Sequence, residues 1–150
     1  METQSRESEA GSSQAESGEP RLILVVDDDP EVCQFISEAL DAEGYRTVIA
    51  SDGEQALRAL ADCKPNLILL DVQMPHMDGW CVLEQLRAQA GPAQPIVVIT
   101  GRYEGQDRAL STGAQGYLAK PFDLQDLLDC VDLHSSIEME SNTERMHGHD

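Results

Sequence analysis

Three aspartates in a row, Asp27, Asp28 and Asp29, stand directly after the apolar run LILVV at 22–26. Asp71 follows LILL at 67–70, Thr100 follows IVVI at 96–99, and Lys120 and Pro121 follow GYLA at 116–119. Carboxylates crowded into one pocket cannot all stay ionised without compensation. A hard divalent cation supplies it: Mg²⁺ takes oxygen ligands and suits one or two carboxylates plus phosphate. A hydroxyl and an ammonium are natural partners for phosphoryl oxygens. A carboxylate beside such groups can attack a phosphoryl group in line and form an aspartyl phosphate. Stabilising charge on the equatorial oxygens is most of that catalysis.

Polar residues after strands also serve as helix caps, and capping accounts for Asp29 and Asp52. It does not account for three consecutive aspartates. Nor does it account for Asp71, which comes seven residues before the next helix start at Asp78, or for Lys120, one of two lysines in the chain.

The elements that would bring these residues together are legible as two alternating patterns. Short apolar runs fall at 22–26, 47–50, 67–70, 96–99 and 116–119. Between them lie segments of helical period. One face gathers Val32, Phe35, Ile36, Ala39 and Leu40; another gathers Ala56, Leu57, Leu60 and Ala61; a third Cys81, Val82 and Leu86. The segment 105–113 is weak, and 123–134 aligns Leu124, Leu127, Leu128 and Val131. Asp29-Pro30 reads as an N-cap with Pro at the first helical position. Ser51-Asp52-Gly53-Glu54 resembles a capping box, and Gly44 suits a helix C-terminus. Five strands alternating with five helices imply a parallel sheet covered on both faces. Ligands of such sheets bind outside the carboxyl ends of the strands, where the singled-out residues fall. If the first and third strands are neighbours, about 4.8 Å apart, Asp27, Asp28 and Asp71 share one pocket. Lys120, two strands from Asp71 or roughly 10 Å, is within reach of it.

The net charge of -18 opposes contact with nucleic acid and with anionic membranes. No apolar run approaches the roughly 18 residues of a membrane span, and the polar start does not read as a signal peptide. Cys33, Cys81 and Cys130 fall in apolar helix patterns and read as core residues. Cys63 precedes Lys64-Pro65 at a helix end. Scattered cysteines favour a reducing compartment, so the expectation is cytoplasmic. Residues 1–20 hold no Leu, Ile, Val or Phe and are expected to be a disordered acidic arm. The folded domain is expected at 21–134, with 135–150 either a polar, disordered tail or in part an extension of the last helix.

LILVVDDDP, LILLDVQMPHMDGW, VVITG and GYLAKPF, in this order and spacing, resemble the receiver domain of two-component response regulators. The resemblance covers about 21–134. It implies a flavodoxin-like α/β fold, a (βα)5 doubly wound parallel sheet with strand order 2-1-3-4-5. It makes Asp71 the phospho-acceptor, Asp28 a direct ligand of Mg²⁺ or Mn²⁺, and Asp27 a ligand acting largely through water. The backbone carbonyl of Gln73 would be the third protein ligand. Thr100 would be the switch hydroxyl, Lys120 the phosphate partner with a cis bond to Pro121, and Tyr117 the aromatic that follows Thr100. The donor would be a histidine kinase or a histidine phosphotransfer protein. Apart from its own phosphotransfer and autodephosphorylation, the chain would not be an enzyme. With no effector domain after 134, the expected readout is protein–protein contact with a downstream effector, through a surface including Ala109, Leu110 and Tyr117; for Leu110 a plain core position is an equal or better expectation. No direct DNA or membrane binding is expected. Gly101 and Arg102 depart from the family's usual pattern; Gln73 and Arg102 would tune the loss of phosphate. The last helix, DLQDLLDCVDLH, lacks Arg and Lys, against dimerisation through charged pairs there.

Three rival functions fit these residues less well. A haloacid-dehalogenase-like phosphohydrolase needs an Asp two residues after the nucleophile, where this chain has Gln73. A binding-only module would not require Asp27, Asp28, Asp71, Thr100 and Lys120 together. A flavin module would want a Ser/Thr/Gly-rich loop after the first strand. Elsewhere, His147 and His149 read as incidental, His76 as a solvated loop residue and Trp80 as a packing residue.

Overall fold

The computed structural model describes residues 20–75, 78–101 and 103–147, with backbone alone for 103–106 and 137–147. The arm at 1–19, His76, Arg102 and His149, together with the side chain of His147, lie outside the described residues, and so do the expectations attached to them.

Five strands form one parallel sheet: β1 (Leu22–Val26), β2 (Arg46–Ala50), β3 (Leu67–Asp71), β4 (Ile96–Thr100) and β5 (Gly116–Ala119). Their order is β2-β1-β3-β4-β5. Five helices alternate with them: α1 (Pro30–Ala42), α2 (Gly53–Asp62), α3 (Gly79–Ala90), α4 (Tyr103–Ser111) and α5 (Leu124–His147). The fold class and strand order are those the sequence implies.

β1, β3 and β4 are apolar at every core position because both faces are covered. On one face Leu24, Val26, Ile68, Leu70, Ile96 and Val98 pack against Ala56 of α2, Val82, Leu83 and Leu86 of α3, and Ala109 of α4. On the other, Ile23, Val25, Leu67, Leu69, Val97 and Ile99 pack against Cys33, Ile36 and Leu40 of α1 and Leu127 and Val131 of α5. The odd and even positions of each strand thus feed two separate core layers, as the twofold period of a strand demands.

The helix starts are fixed by aspartates. Asp29 caps α1 through Glu31 N–H, Asp52 caps α2 through Gln55 N–H, and Asp78 caps α3 through Trp80 N–H. The partner that reaches back at α2 is Gln55, whose Oε1 accepts from Ser51 N–H at 2.8 Å, rather than Glu54. Gly44 takes φ 90° where α1 ends, a conformation that costs glycine little.

Several expected core assignments are corrected. On α3 the chain turns Leu83 inward and leaves Cys81 exposed. On α2 Ala59, not Ala61, lies against the core. Phe35 is 42% exposed and Leu124 48% exposed, each at the margin of its helix's buried stripe. Trp80, in the first turn of α3, is half-buried and packs on the core, with the Arg108 guanidinium 4.7 Å from its ring centre. The backbone of α5 runs on to His147, the extension of the last helix into 135–150 that the sequence left open. No Pro or Gly interrupts 124–147, so helical hydrogen bonding continues without an apolar stripe to mark it.

Candidate functional site

Parallel register gathers the singled-out residues at one end of the sheet. Val26 pairs with Leu70, so Asp27 and Asp71 leave neighbouring strands side by side. Asp71 pairs with Ile99, which places Thr100 one step beyond it, and Thr100 pairs with Ala119, just before Lys120. Asp27 is 1%, Asp71 3% and Thr100 1% exposed. Asp28 and Lys120 are half-buried at the mouth.

Asp71 is held at both oxygens. Oδ1 accepts from the backbone N–H of Gln73 at 2.7 Å, and Oδ2 accepts from Lys120 Nζ at 2.9 Å. The Lys120–Pro121 peptide bond is cis. Burial alone would lower the Lys120 ammonium's pKa, but the bond to Asp71 and the charges of Asp71, Asp27 and Asp29 hold it above the ordinary lysine value. Asp27 Oδ1 accepts from Asp29 N–H at 2.9 Å. Its Oδ2 is buried with no hydrogen-bond partner. Burial, opposed by the Asp29 bond and reinforced by the Asp71 carboxylate, pushes the Asp27 carboxyl up to about 7.

A buried carboxylate oxygen without a donor is costly unless a cation completes it. The residues present therefore fit a hard divalent ion. Among the described residues no three His, Cys, Asp or Glu side chains gather closely enough to hold an ion unaided. An ion here would complete its shell with a backbone carbonyl, water and phosphate oxygens, the habit of Mg²⁺.

Beside Lys120 lies a groove of about 480 Å³ lined by Val32, Phe35, Pro121 and Phe122, with Asp29 and Glu31 at its acidic rim. The Phe35 and Phe122 rings stand 6.3 Å apart. Phe35 looked like a core residue in the sequence, because a helix stripe does not show where its edge falls. The side chain of Gln73 is a second feature the sequence did not reveal: its Oε1 accepts from Gly101 N–H at 3.0 Å. Of the expected readout residues, Ala109 is buried, whereas Leu110 is 51% and Tyr117 39% exposed.

Residues 23–132 match the model of the response regulator receiver domain. The chain belongs to this family. The receiver domain is 43% identical over 111 residues to the response regulator MprA of Mycolicibacterium vanbaalenii, covering 73% of this chain and 48% of that protein. It is 41% identical over 108 residues to the DNA-binding response regulator MtrA of Mycolicibacterium smegmatis, covering 71% of this chain and 46% of that one. The chain thus spans about half the length of these curated relatives. Among solved structures, the receiver domain of the Francisella response regulator 1452 superposes with a TM-score of 0.71 at 30% identity, covering 78% of this chain and 98% of that one. This is a signalling module of two-component systems rather than a typical enzyme. Among the described residues no helix is long and apolar enough to cross a membrane.

Proposed function

We propose that this receiver domain is a phospho-accepting switch in which Asp71 takes a phosphoryl group from a phosphohistidine donor. One observation carries the reading: a buried carboxylate, clamped at both oxygens by Gln73 N–H and Lys120, stands beside Asp27 with its unpartnered Oδ2. As a purely structural arrangement it would be poor value, since burying a carboxylate–lysine pair costs about as much as it returns.

The clamp fixes the direction in which Asp71 faces. In the transfer an Asp71 oxygen forms a P–O bond while the P–N bond of the donor breaks, and the imidazole leaves with the electron pair. Lys120, freed from the carboxylate charge as the acyl phosphate forms, turns to a phosphoryl oxygen; the Thr100 hydroxyl serves another. Mg²⁺ or Mn²⁺, held by Asp27, Asp28, Asp71 and the Gln73 backbone carbonyl, would supply charge neutralisation for the equatorial oxygens. Water later hydrolyses the acyl phosphate, and the chain turns over no other substrate.

The donor is a histidine kinase or a histidine phosphotransfer protein in the cytoplasm. Phosphorylation shifts a two-state equilibrium through Thr100 and Tyr117, and a downstream effector protein reads the face that carries Leu110 and Tyr117. The charge of -18 works against direct contact of this chain with DNA or with an anionic membrane. Intact mass after incubation with acetyl phosphate tests the reading. The wild type gains one phosphoryl group only when Mg²⁺ is present, and Asp71→Ala gains none; an adduct of equal yield on Asp71→Ala would refute the assignment.

A further inference from the structure

Gln73 holds Asp71 with its backbone and reaches across to β4 with its side chain. Its N–H donates to Asp71 Oδ1 at 2.7 Å, while its carboxamide Oε1 accepts from Gly101 N–H at 3.0 Å. A Cβ placed on Gly101 would stand 3.4 Å from that same Oε1 and 3.7 Å from Lys120 Cβ. The Gly101 N–H, the Gln73 carboxamide and the stem of Lys120 therefore meet at one spot. It lies at the end of the sheet where Lys120 Nζ holds Asp71 Oδ2 at 2.9 Å. A backbone N–H at the end of a strand is a donor that phosphoryl oxygens readily take. Here a neutral side-chain oxygen has already taken it.

Resting on the acceptor role of Asp71, we infer that the Gln73 carboxamide is a built-in competitor of the phosphoryl group. It occupies the Gly101 N–H in the unphosphorylated state and yields that donor when Asp71 is phosphorylated. Only hydrogen bonds are exchanged. The bond gained is charge-assisted and stronger than the neutral bond lost, so the exchange goes forward. Breaking the neutral bond subtracts its own worth from uptake. A free Gly101 N–H then raises the rate of uptake by about two- to tenfold, the factor that the net worth of one ordinary hydrogen bond allows.

Gln73→Met tests this, since it keeps the length of the side chain and removes the carboxamide oxygen. Gln73→Ala removes both. Two quantities are followed for the wild type and each variant, using acetyl phosphate with Mg²⁺: the uptake rate by intact mass, and the Gly101 amide signal by NMR. The expected result is faster uptake in both variants. The Gly101 signal of each variant differs from the wild type before phosphorylation and coincides with it afterwards. A gain for Gln73→Ala alone would make the side chain a steric cover and overturn the competition. Equal uptake, or a Gly101 difference that survives phosphorylation, also overturns it and leaves the acceptor role standing. No adduct on any of the three proteins overturns the acceptor role and this inference together.

Discussion

Arg87 ties together the end of the sheet opposite the site, and its removal gives a worked stability prediction. Nη1 donates to Gly91 O and Gln94 O, both at 2.7 Å, and Nη2 donates to Gly113 O at 2.6 Å and Gln115 Oε1 at 2.9 Å. All four acceptors are carbonyl oxygens, and burial holds the guanidinium below its ordinary pKa. One side chain thus closes the end of α3, the turn into β4 and the turn into β5. Hydrogen bonds from a charged donor are each worth about 1.5–3 kcal/mol when shielded. The site is half open to water, which will re-solvate some of the freed carbonyls, so Arg87→Ala should cost about 2–4 kcal/mol in all. For a domain near 110 residues that is a fall in Tm of roughly 8–16 °C. Urea titration and thermal melts check the value. Arg87→Lys should recover less than half, because an ammonium lacks the fork that spans two turns. Phosphoryl uptake by the folded fraction should stay within about twofold, since Arg87 closes the turns at the opposite end of the sheet from Asp71 and Lys120. A loss under about 1 kcal/mol would refute the additive reasoning behind the hub.

Gly79→Ala should destabilise the domain by about 2 kcal/mol or more, because a Cβ there would stand 2.3 Å from Val72 Cα, which is backbone and cannot move aside; urea midpoints measure it. Lys120→Met should lower the rate of phosphoryl uptake from acetyl phosphate by about tenfold or more, since it removes the cation at Asp71 Oδ2; stopped time points by intact mass give the rate. Burial pushes the Cys130 thiol up from 9.0 to about 11. A raised pKa means that its contribution to stability is fully present below pH 9.0 and is lost as pH rises towards 11. Melts of the wild type and Cys130→Ala should therefore converge over that window, and a constant difference would contradict the assignment.

The sheet was readable because β1, β3 and β4 are apolar at successive positions, a pattern that only double coverage explains. The candidate site was readable because Asp27, Asp71, Thr100 and Lys120 are each the first polar residue after such a run. What stayed hidden depends on rotation and on partners distant in sequence. Cys81 and Leu83 are two positions apart, about 200° around the helix, so they lie on opposite faces, and the small residues on α2 do not announce which alanine turns inward. Gln73 and Gly101 are 28 residues apart, as are Arg87 and Gln115. Amide and guanidinium groups pair equally well with any nearby carbonyl or N–H, so residue type alone names no partner. Past 134, α5 continues on backbone propensity without the apolar stripe that marks helices elsewhere in the chain.

The most direct test locates the phosphoryl group itself. Protein phosphorylated by a phosphohistidine donor, or by acetyl phosphate with Mg²⁺, is reduced with borohydride, which converts an acyl phosphate to an alcohol, and is then mapped by tandem mass spectrometry. The account predicts homoserine at position 71 and at no other aspartate. Label at Asp27, Asp28 or Asp78 in place of Asp71, or an adduct that survives on Asp71→Ala, would contradict it.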